Sequence, residues 1–532
     1  MSYPTKTPDP QPDPQPQPDP QPQKYIRKNV WANGGTFDDP TILWYARGVA
    51  AMKARALAEP TSWRFYAGIH GFNAQLWTID GYLSSTDQLP TAQQQQLFWR
   101  QCQHGSWYFL PWHRGYLLAL EANIRAAVIA AGGPSDWALP YWNYFGGGTQ
   151  NQLPPAFASP DWPDGTGDNP LFVTQRWGPR DDGDVFVPLD QVSLEALSVP
   201  EFDGVPPPGD PGFGGIDTGF SHGGRTHGDL ESDPHDLVHV FVGGGNPQRP
   251  NLPGLMTNPN SAGLDPIFYL HHSNIDRLWQ SWLLEPASEG NPTDANWLNG
   301  PAASGQREFV MPWPDGTNYV YTPGDVGDLA QLDYEYDDYT PGAAMEPESV
   351  SARRPRRRRT FGAGLESREG AAVASRGRNV ELVGANDQQV SVAGRAESRA
   401  TVRLEEGPRR KMQESIARAS QEGPGGGEPD RVLLNLENVR GLSDAAAFEV
   451  FVNGRSAGSV ALFGVTEATS AEDEHGGAGL NFVLEISGIV DELHLGDELD
   501  ANALDVRIVP VRNVPEEANV TIGRISVARQ GR

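Results

Sequence analysis

Of the 11 histidines in this 532-residue chain, seven fall in segments that read as helices or helix entrances: His70, His104, His113, His235, His239, His271 and His272. His104 and His113 stand nine residues apart at the mouth of HGSWYFLPWHRGYLLALEANIRAAV. Nine steps of ~100° leave two positions half a turn out of phase. The two rings can therefore meet only if His104 belongs to a separate segment that folds back. His235 and His239, in HDLVHVFVGG, are i and i+4, which puts both imidazoles on one face of a helical turn. His271 and His272 lie inside DPIFYLHHSNIDRLWQSWLL. Neutral imidazoles in such sets, without a carboxylate or thiolate among them, suit copper better than calcium, magnesium or structural zinc. A zinc site at HDLVH, with the other histidines in the core, is the plainer alternative.

The elements that would position these side chains are legible nearby. Pro111 suits a first helical turn, and Leu117, Leu118, Leu120, Ile124 and Val128 form an apolar stripe that Gly132-Gly133 ends. Asp265 and Pro266 make an N-cap and first position for the segment holding His271 and His272. DDPTILWYARGVAAMKARALAE reads as a capped helix starting from Asp38 or Asp39. His70 follows in the aromatic-rich SWRFYAGIHGFN, and PTAQQQQLFWRQCQH delivers Cys102 and His104. The Pro/Gly-rich stretch to about residue 230 belongs in loops over a helical core. The tryptophans, among them Trp63, Trp99, Trp112 and Trp279, read as core.

HGSWYFLPWHRGYL, PYWNY (140–144), HDLVHVFVGG and DPIFYLHHSNIDRLW resemble the two copper-site signatures of the tyrosinase and polyphenol oxidase family over roughly residues 25–342. The resemblance implies a helical-bundle catalytic domain with two copper ions. It assigns His70, His104 and His113 to the first copper, and His235, His239 and His272 to the second, with His271 beside the site. Three nitrogens per metal leave positions open for dioxygen, which can serve to hydroxylate a phenol or to oxidise a catechol.

Other residues take on meaning through the same resemblance. The C-x-H spacing of Cys102 and His104 is similar to the fungal and molluscan pattern, where cysteine forms a thioether to that histidine; a small buried thiol is the alternative. Glu231, four residues before His235, matches a glutamate that holds a water near the second copper, from which it could take a phenol proton; a solvated loop carboxylate is the alternative. Asp236 stands where many tyrosinases carry asparagine. At the gate, Pro259 and Asn260 replace the phenylalanine of plant catechol oxidases, so a monophenol should approach more freely. Asp276, one turn after His272, is positioned to accept a hydrogen bond from a ligand imidazole or to pair with Arg277. Tyr334 and Tyr336 look like the family's tyrosine motif, for which Arg27 is the expected partner across the domain ends.

Composition limits the rest. A net charge of −27 argues against nucleic acid and against an anionic membrane surface. No apolar run approaches the ~20 residues of a membrane span. The N-terminal Pro/Gln/Asp repeat (1–23) lacks the features of a secretory signal and reads as a disordered arm. A single cysteine excludes intrachain disulfides and suits a reducing, cytoplasmic setting. Residues 24–342 are expected to form the catalytic domain. Residues 343–430, with RRPRRRR (353–359) and PRRK (408–411), read as a mobile, protease-sensitive linker. Residues 431–532 alternate polar and apolar at period two, the pattern of an all-β sandwich, and their order resembles the C-terminal domain of plant-type polyphenol oxidases.

The expected fold is thus mainly α, with a β-sandwich appended as a lid over the copper site. Acid or detergent would loosen a carboxylate-rich lid interface. The expected activity is ortho-hydroxylation of monophenols and oxidation of o-diphenols to o-quinones, with phenols and dioxygen as small partners and a homo-oligomer as an option. A catechol oxidase or o-aminophenol oxidase is the alternative within the same chemistry. A haemocyanin-like oxygen carrier is the alternative of another class.

Overall fold

A computed structural model describes residues 24–163, 165–249, 252–343, 379–421, 429–471, 476–496 and 502–531. The expected arm at 1–23 and the RRPRRRR run lie outside the described residues.

Side-chain caps start the helices where the sequence places them. Helix α1 (Pro40–Lys53) begins at Asp39, which accepts from Thr41 N, with Pro40 at its first position. Helix α2 (Trp63–His70) is capped by Ser62 through Phe65 N and ends on His70. After α3 (Ala74–Ile79) and α4 (Ala92–Phe98), the latter closed by a Thr91–Gln94 capping box, the chain leaves helical geometry. His104 lies on that irregular segment, folded back as its spacing to His113 demands. Helix α5 (Phe109–Ala130) holds His113 behind Pro111. The long loop that follows contains one short helix, α6 (Pro155–Ala158). A π-helical turn at Glu231–Asp236 then leads into α7 (Leu237–Gly243), and α8 (Pro259–Ala262) precedes α9 (Pro266–Leu284). Helix α5 packs against both α1 and α9. Gly48 permits the α1 approach: a Cβ there would lie 2.6 Å from Ile124 Cγ2.

The ends of this unit are tied together. Strand β1 (Tyr25–Arg27) pairs in parallel with β4 (Tyr334–Tyr336). Between them come the short helices α10 (Ala295–Asn299) and α11 (Pro323–Val326) and the hairpin β2 (Phe309–Pro312) and β3 (Asn318–Tyr321). Among the described residues, no helix is long and apolar enough to cross a membrane.

The C-terminal unit differs from the expected sandwich, and with it the fold is mixed, not mainly α. Nine strands form one sheet: β5 (Val380–Ala385), β6 (Val390–Val392), β7 (Ser398–Leu404), β8 (Arg431–Arg440), β9 (Ala447–Val452), β10 (Arg455–Ala461), β11 (Leu480–Glu485), β12 (Ala503–Pro510) and β13 (Val520–Gln530). Their order is β10-β9-β12-β7-β5-β13-β8-β11, with β6 on β13. The sheet curls until its end strands β10 and β11 approach, so it is nearly a closed barrel. Twist and bulges, as at Ser456/Gly458 and Val527/Ala528, supply that curvature. Period-two alternation marks one buried face and does not distinguish a sandwich from a barrel.

The expected linker boundary at 430 also moves. Strands β5 to β7 and helix α12 (Glu406–Gln421) belong to the folded unit, with Met412 and Ile416 buried. PRRK lies in α12, where Arg410 pairs with Glu414 and Lys411 with Glu381. Two further helices, α13 (Val465–Thr469) and α14 (Ser487–Leu495), complete the unit. It has its own apolar core, yet Ala447, Ala461 and Phe463 pack into the core of the helical unit.

Candidate metal centre

Two groups of buried ligating side chains converge between α2, α5, α7 and α9. In each, the candidate ligand atoms lie within 4.8 Å of one another: His70, Cys102, His104 and His113 in one, and His235, His239, His271 and His272 in the other. Five rings are anchored from behind through Nδ1. His70 meets Pro259 O at 2.8 Å, His113 meets Phe109 O at 2.8 Å and His239 meets Met256 O at 2.7 Å. His104 is held by Glu231 Oε1 at 2.7 Å, and His235 by Asp236 Oδ1 at 2.9 Å. With Nδ1–H donating, Nε2 carries the free lone pair, as a metal ligand requires. Nε2 of His70, His104 and His235 is buried without a protein partner. Such orphaned atoms are costly unless something binds them. His272 joins the groups: its ring stacks on His113 at 4.4 Å, and its Nε2 lies 3.2 Å from that of His239. Burial holds all six rings well below the usual histidine range, with neighbouring imidazoles adding to the effect. They are therefore neutral, the form that binds metal. These residues fit two copper ions.

His271 has a different setting. Its Nδ1 approaches Tyr144 OH at 3.5 Å and its ring stacks on His235 at 5.4 Å, while burial lowers its pKa to about 3.

The two carboxylates take roles the sequence did not show. Glu231 lies behind the first group. The π-helical turn directs it to His104 Nδ1 and to Gly105 N, at 3.1 Å from each oxygen, so it orients a ring of the first group. Asp236 holds His235 with one oxygen and His227 Nδ1 with the other, at 2.6 Å. His227 also lies 3.8 Å from Glu231 Oε1. Burial opposes its charge, but Asp236 and Glu231 raise its pKa to about 9. One imidazolium thus ties together the carboxylates behind the two groups. Burial pushes the Glu231 and Asp236 carboxyls up to about 7, against the pull of His227 toward their charged forms. Sequence reasoning missed His227 and His222; their place in SHGGRTHGDLESDPHD, just upstream of His235, was the available signal.

Asp276 also differs from both expectations, touching neither an imidazole nor Arg277. It accepts from Arg114 Nε at 2.5 Å, Arg27 Nη1 at 3.4 Å, Tyr334 OH at 2.6 Å and Tyr336 OH at 2.5 Å. It is buried on α9 and anchors the expected clamp, in which the Arg27 guanidinium lies 3.7 Å over the Tyr334 ring. Arg277 instead donates to Asn274 Oδ1 and to carbonyls at 338, 340 and 341. Cys102 is a buried thiol, and its close contact is with His113 Nε2 at 3.4 Å, not with His104.

The mouth of the centre is a crevice lined by His104, His222, Gly223, Gly224, His227 and Pro259 on the helical side. Phe463, Gly464, Glu467 and Leu480 of the C-terminal unit fill it. Phe463 is 1% exposed and stacks on His239, with centroids 4.4 Å apart and planes at 27°. Around this plug, Arg512 pairs with Asp181 at 2.9 Å and Arg431 with Asp210. Asn481 N donates to Arg225 O at 2.8 Å, and Asn258 Nδ2 to Asp444 Oδ2 at 2.5 Å. Pro259 packs under Gly464, and the Asn260 side-chain amide donates to Glu467 Oε1.

A helical core that presents paired histidine groups, five of their rings tethered through Nδ1, defines a dinuclear copper protein. The common central domain of tyrosinase matches residues 60–183 and 210–285, and a domain of unknown function matches 379–530. A tyrosinase of Hahella sp. (strain CCB-MM4) is 31% identical over 511 residues, covering 92% of this chain and 97% of that one. The latent form of a Prunus armeniaca polyphenol oxidase is 30% identical over 210 residues, 37% of this chain and 32% of its own. The structure of latent apple tyrosinase shares the fold at a TM-score of 0.55 and 20% identity, over 96% of this chain and 98% of that one. The chain belongs to the tyrosinase family. It is a copper oxidoreductase that acts on phenols and takes two copper ions, which displaces the oxygen-carrier alternative.

Proposed function

We propose that this protein ortho-hydroxylates monophenols and oxidises o-diphenols to o-quinones with dioxygen, and that the intact chain is its latent form. One observation carries this reading. Among the residues lining the crevice, the single carbocyclic ring, Phe463, comes from the C-terminal unit, while Pro259 occupies the gate on the catalytic side. When that unit withdraws, the approach to His239 is open to a phenol ring of the same size.

His70, His104 and His113 would hold the first copper, and His235, His239 and His272 the second; the ions supply dioxygen activation and accept the electrons of the diphenol. The chain's own groups prepare that chemistry. Glu231 and Asp236 orient His104 and His235 and raise their basicity. His227 keeps a proton at Nδ1 on Asp236, which holds that carboxylate in place. Phe109, Trp112 and Phe268 pack against the imidazoles and exclude water from their outer faces. A thioether from Cys102 to His104 remains a proposal, supported by the C-x-H spacing. An intact mass about two hydrogens below that of the sequence, with no alkylatable thiol after unfolding, would establish it.

The test is oxygen uptake by the copper-loaded full chain carrying Phe463→Ala, with a monophenol and then with a catechol. Uptake with both is expected. Uptake with catechol alone would reduce the reading to a catechol oxidase, and none with either would remove it.

A further inference from the structure

The C-terminal unit also touches the far end of the helix that carries His239. Helix α7 has seven residues, about two turns and too few to stand unaided, so its carbonyl end must be held from outside. The helical unit supplies part of that hold. Trp177 N donates to Gly243 O at 2.8 Å, and Gly178 N to Val242 O at 3.4 Å. Asp181, in the same loop, accepts from Gly245 N through Oδ1 at 2.8 Å. The rest comes from the C-terminal unit. Arg512, 3% exposed, donates from Nη1 to that same Oδ1 at 2.9 Å and from Nη2 to Val240 O at 3.3 Å. Val240 directly follows His239, and the guanidinium lies 6.0 Å over the Phe241 ring. A cation at the carbonyl end of a helix is favourably placed.

Both partners of this contact are set in advance. Asp181 stands at φ 59°, a left-handed conformation uncommon outside glycine. Arg512 projects from a loop pinned on either side: Val511 N donates to Ala447 O at 2.9 Å, and Val514 exchanges backbone hydrogen bonds with Gly394 at 2.7 and 3.0 Å. We infer that Arg512 is a positioning residue for the second copper group: it braces α7 and through it His239, so that docking of the C-terminal unit and retention of that copper stabilise each other. The coupling is reciprocal, because a contact that favours the metal-holding arrangement is itself favoured by the metal. Phe463 bars the crevice, whereas Arg512 supports the site from the other end of the helix. The role is the same for a hydroxylating enzyme and for a catechol oxidase.

The experiment uses the full chain and compares Arg512→Gln and Arg512→Lys with Arg431→Gln, which breaks another contact between the units, its partners being Asp210 and Glu485. Amide exchange of the metal-free protein is followed in peptides from α7 and from α5. Arg512→Gln should speed exchange in α7 about tenfold, the worth of one charge-assisted hydrogen bond, and leave α5 unchanged. Arg512→Lys, which keeps a charged donor for Asp181, should recover part of the protection. After copper loading, dialysis against a chelator should remove one of the two coppers about tenfold sooner from Arg512→Gln than from the wild type. In a His239→Ala background, where the remaining copper lies in the first group, Arg512→Gln should make no difference. Unchanged protection of α7, unchanged copper retention or a lysine that recovers nothing would overturn the inference. So would an Arg431→Gln effect on α7 equal to that of Arg512→Gln, since docking alone would then protect the helix, or a faster copper loss that persists without His239.

Discussion

Phe463 of the C-terminal unit lies face to face with His239 of the helical unit, centroids 4.4 Å apart at 27°. A ring on one folding unit thus completes the packing of a metal-site imidazole on another. Replacing it with alanine removes a fully buried aromatic contact worth about 3–5 kcal/mol. In the full chain, Phe463→Ala should raise diphenol oxidation per copper at least tenfold without cleavage. An unchanged rate would show that access is controlled elsewhere.

Copper content should divide the histidines. Alanine at His104, His113, His239 or His272 should cost at least one of two copper ions, read by elemental analysis. His271→Ala should keep more copper than any of these, because its ring is turned to Tyr144 OH and stacked on His235. Two retained coppers in the His272 variant, with one lost from the His271 variant, would reverse the choice between the neighbours.

Asp276 should matter for stability. Its removal leaves Arg27 and Arg114, both fully buried, without their shared carboxylate. Breaking such a network costs about 3–5 kcal/mol. Asp276→Ala should lower the thermal midpoint of the metal-free protein markedly. A wild-type midpoint would mean that Glu121 and the tyrosines suffice to hold the two arginines.

Acid should tighten one contact of the plug. Burial raises Asp444 from 3.8 to about 6, against the hydrogen bonds from Thr466 and Asn258 that favour its charged form. Its folded value lies above its unfolded one. Its contribution is therefore fully present below about 4 and lost as pH rises through about 6, some 3 kcal/mol in all. This runs against the expectation that acid loosens the interface. Midpoints of wild type and Asp444→Asn, compared between pH 4 and 7, should diverge with the wild type gaining at low pH. Parallel curves would rule Asp444 out as a titrating contact.

The sequence by itself determined the local elements and the identity of the metal groups. Asp39, Ser62 and Asp265 cap the helices they precede, because a cap acts within three residues. The i, i+4 spacing of His235 and His239 brought those rings to 4.5 Å, and the half-turn phase of His104 and His113 required the fold-back that is seen. Arg27 met Tyr334 and Tyr336 as the motif implied. What the tertiary structure decided were relations across long stretches of chain. Glu231 turned to His104 because a π-helical turn, invisible to a 3.6-residue period, redirects it. Asp276 faced two arginines and two tyrosines that only packing brings to α9. Period-two strands fixed one buried face, while twist and bulges closed them into a single curled sheet. Which residue of the C-terminal unit would enter the crevice had no local signature at all. Phe463 and Glu467 became a plug through the docking of two folded surfaces, a property of their shapes together.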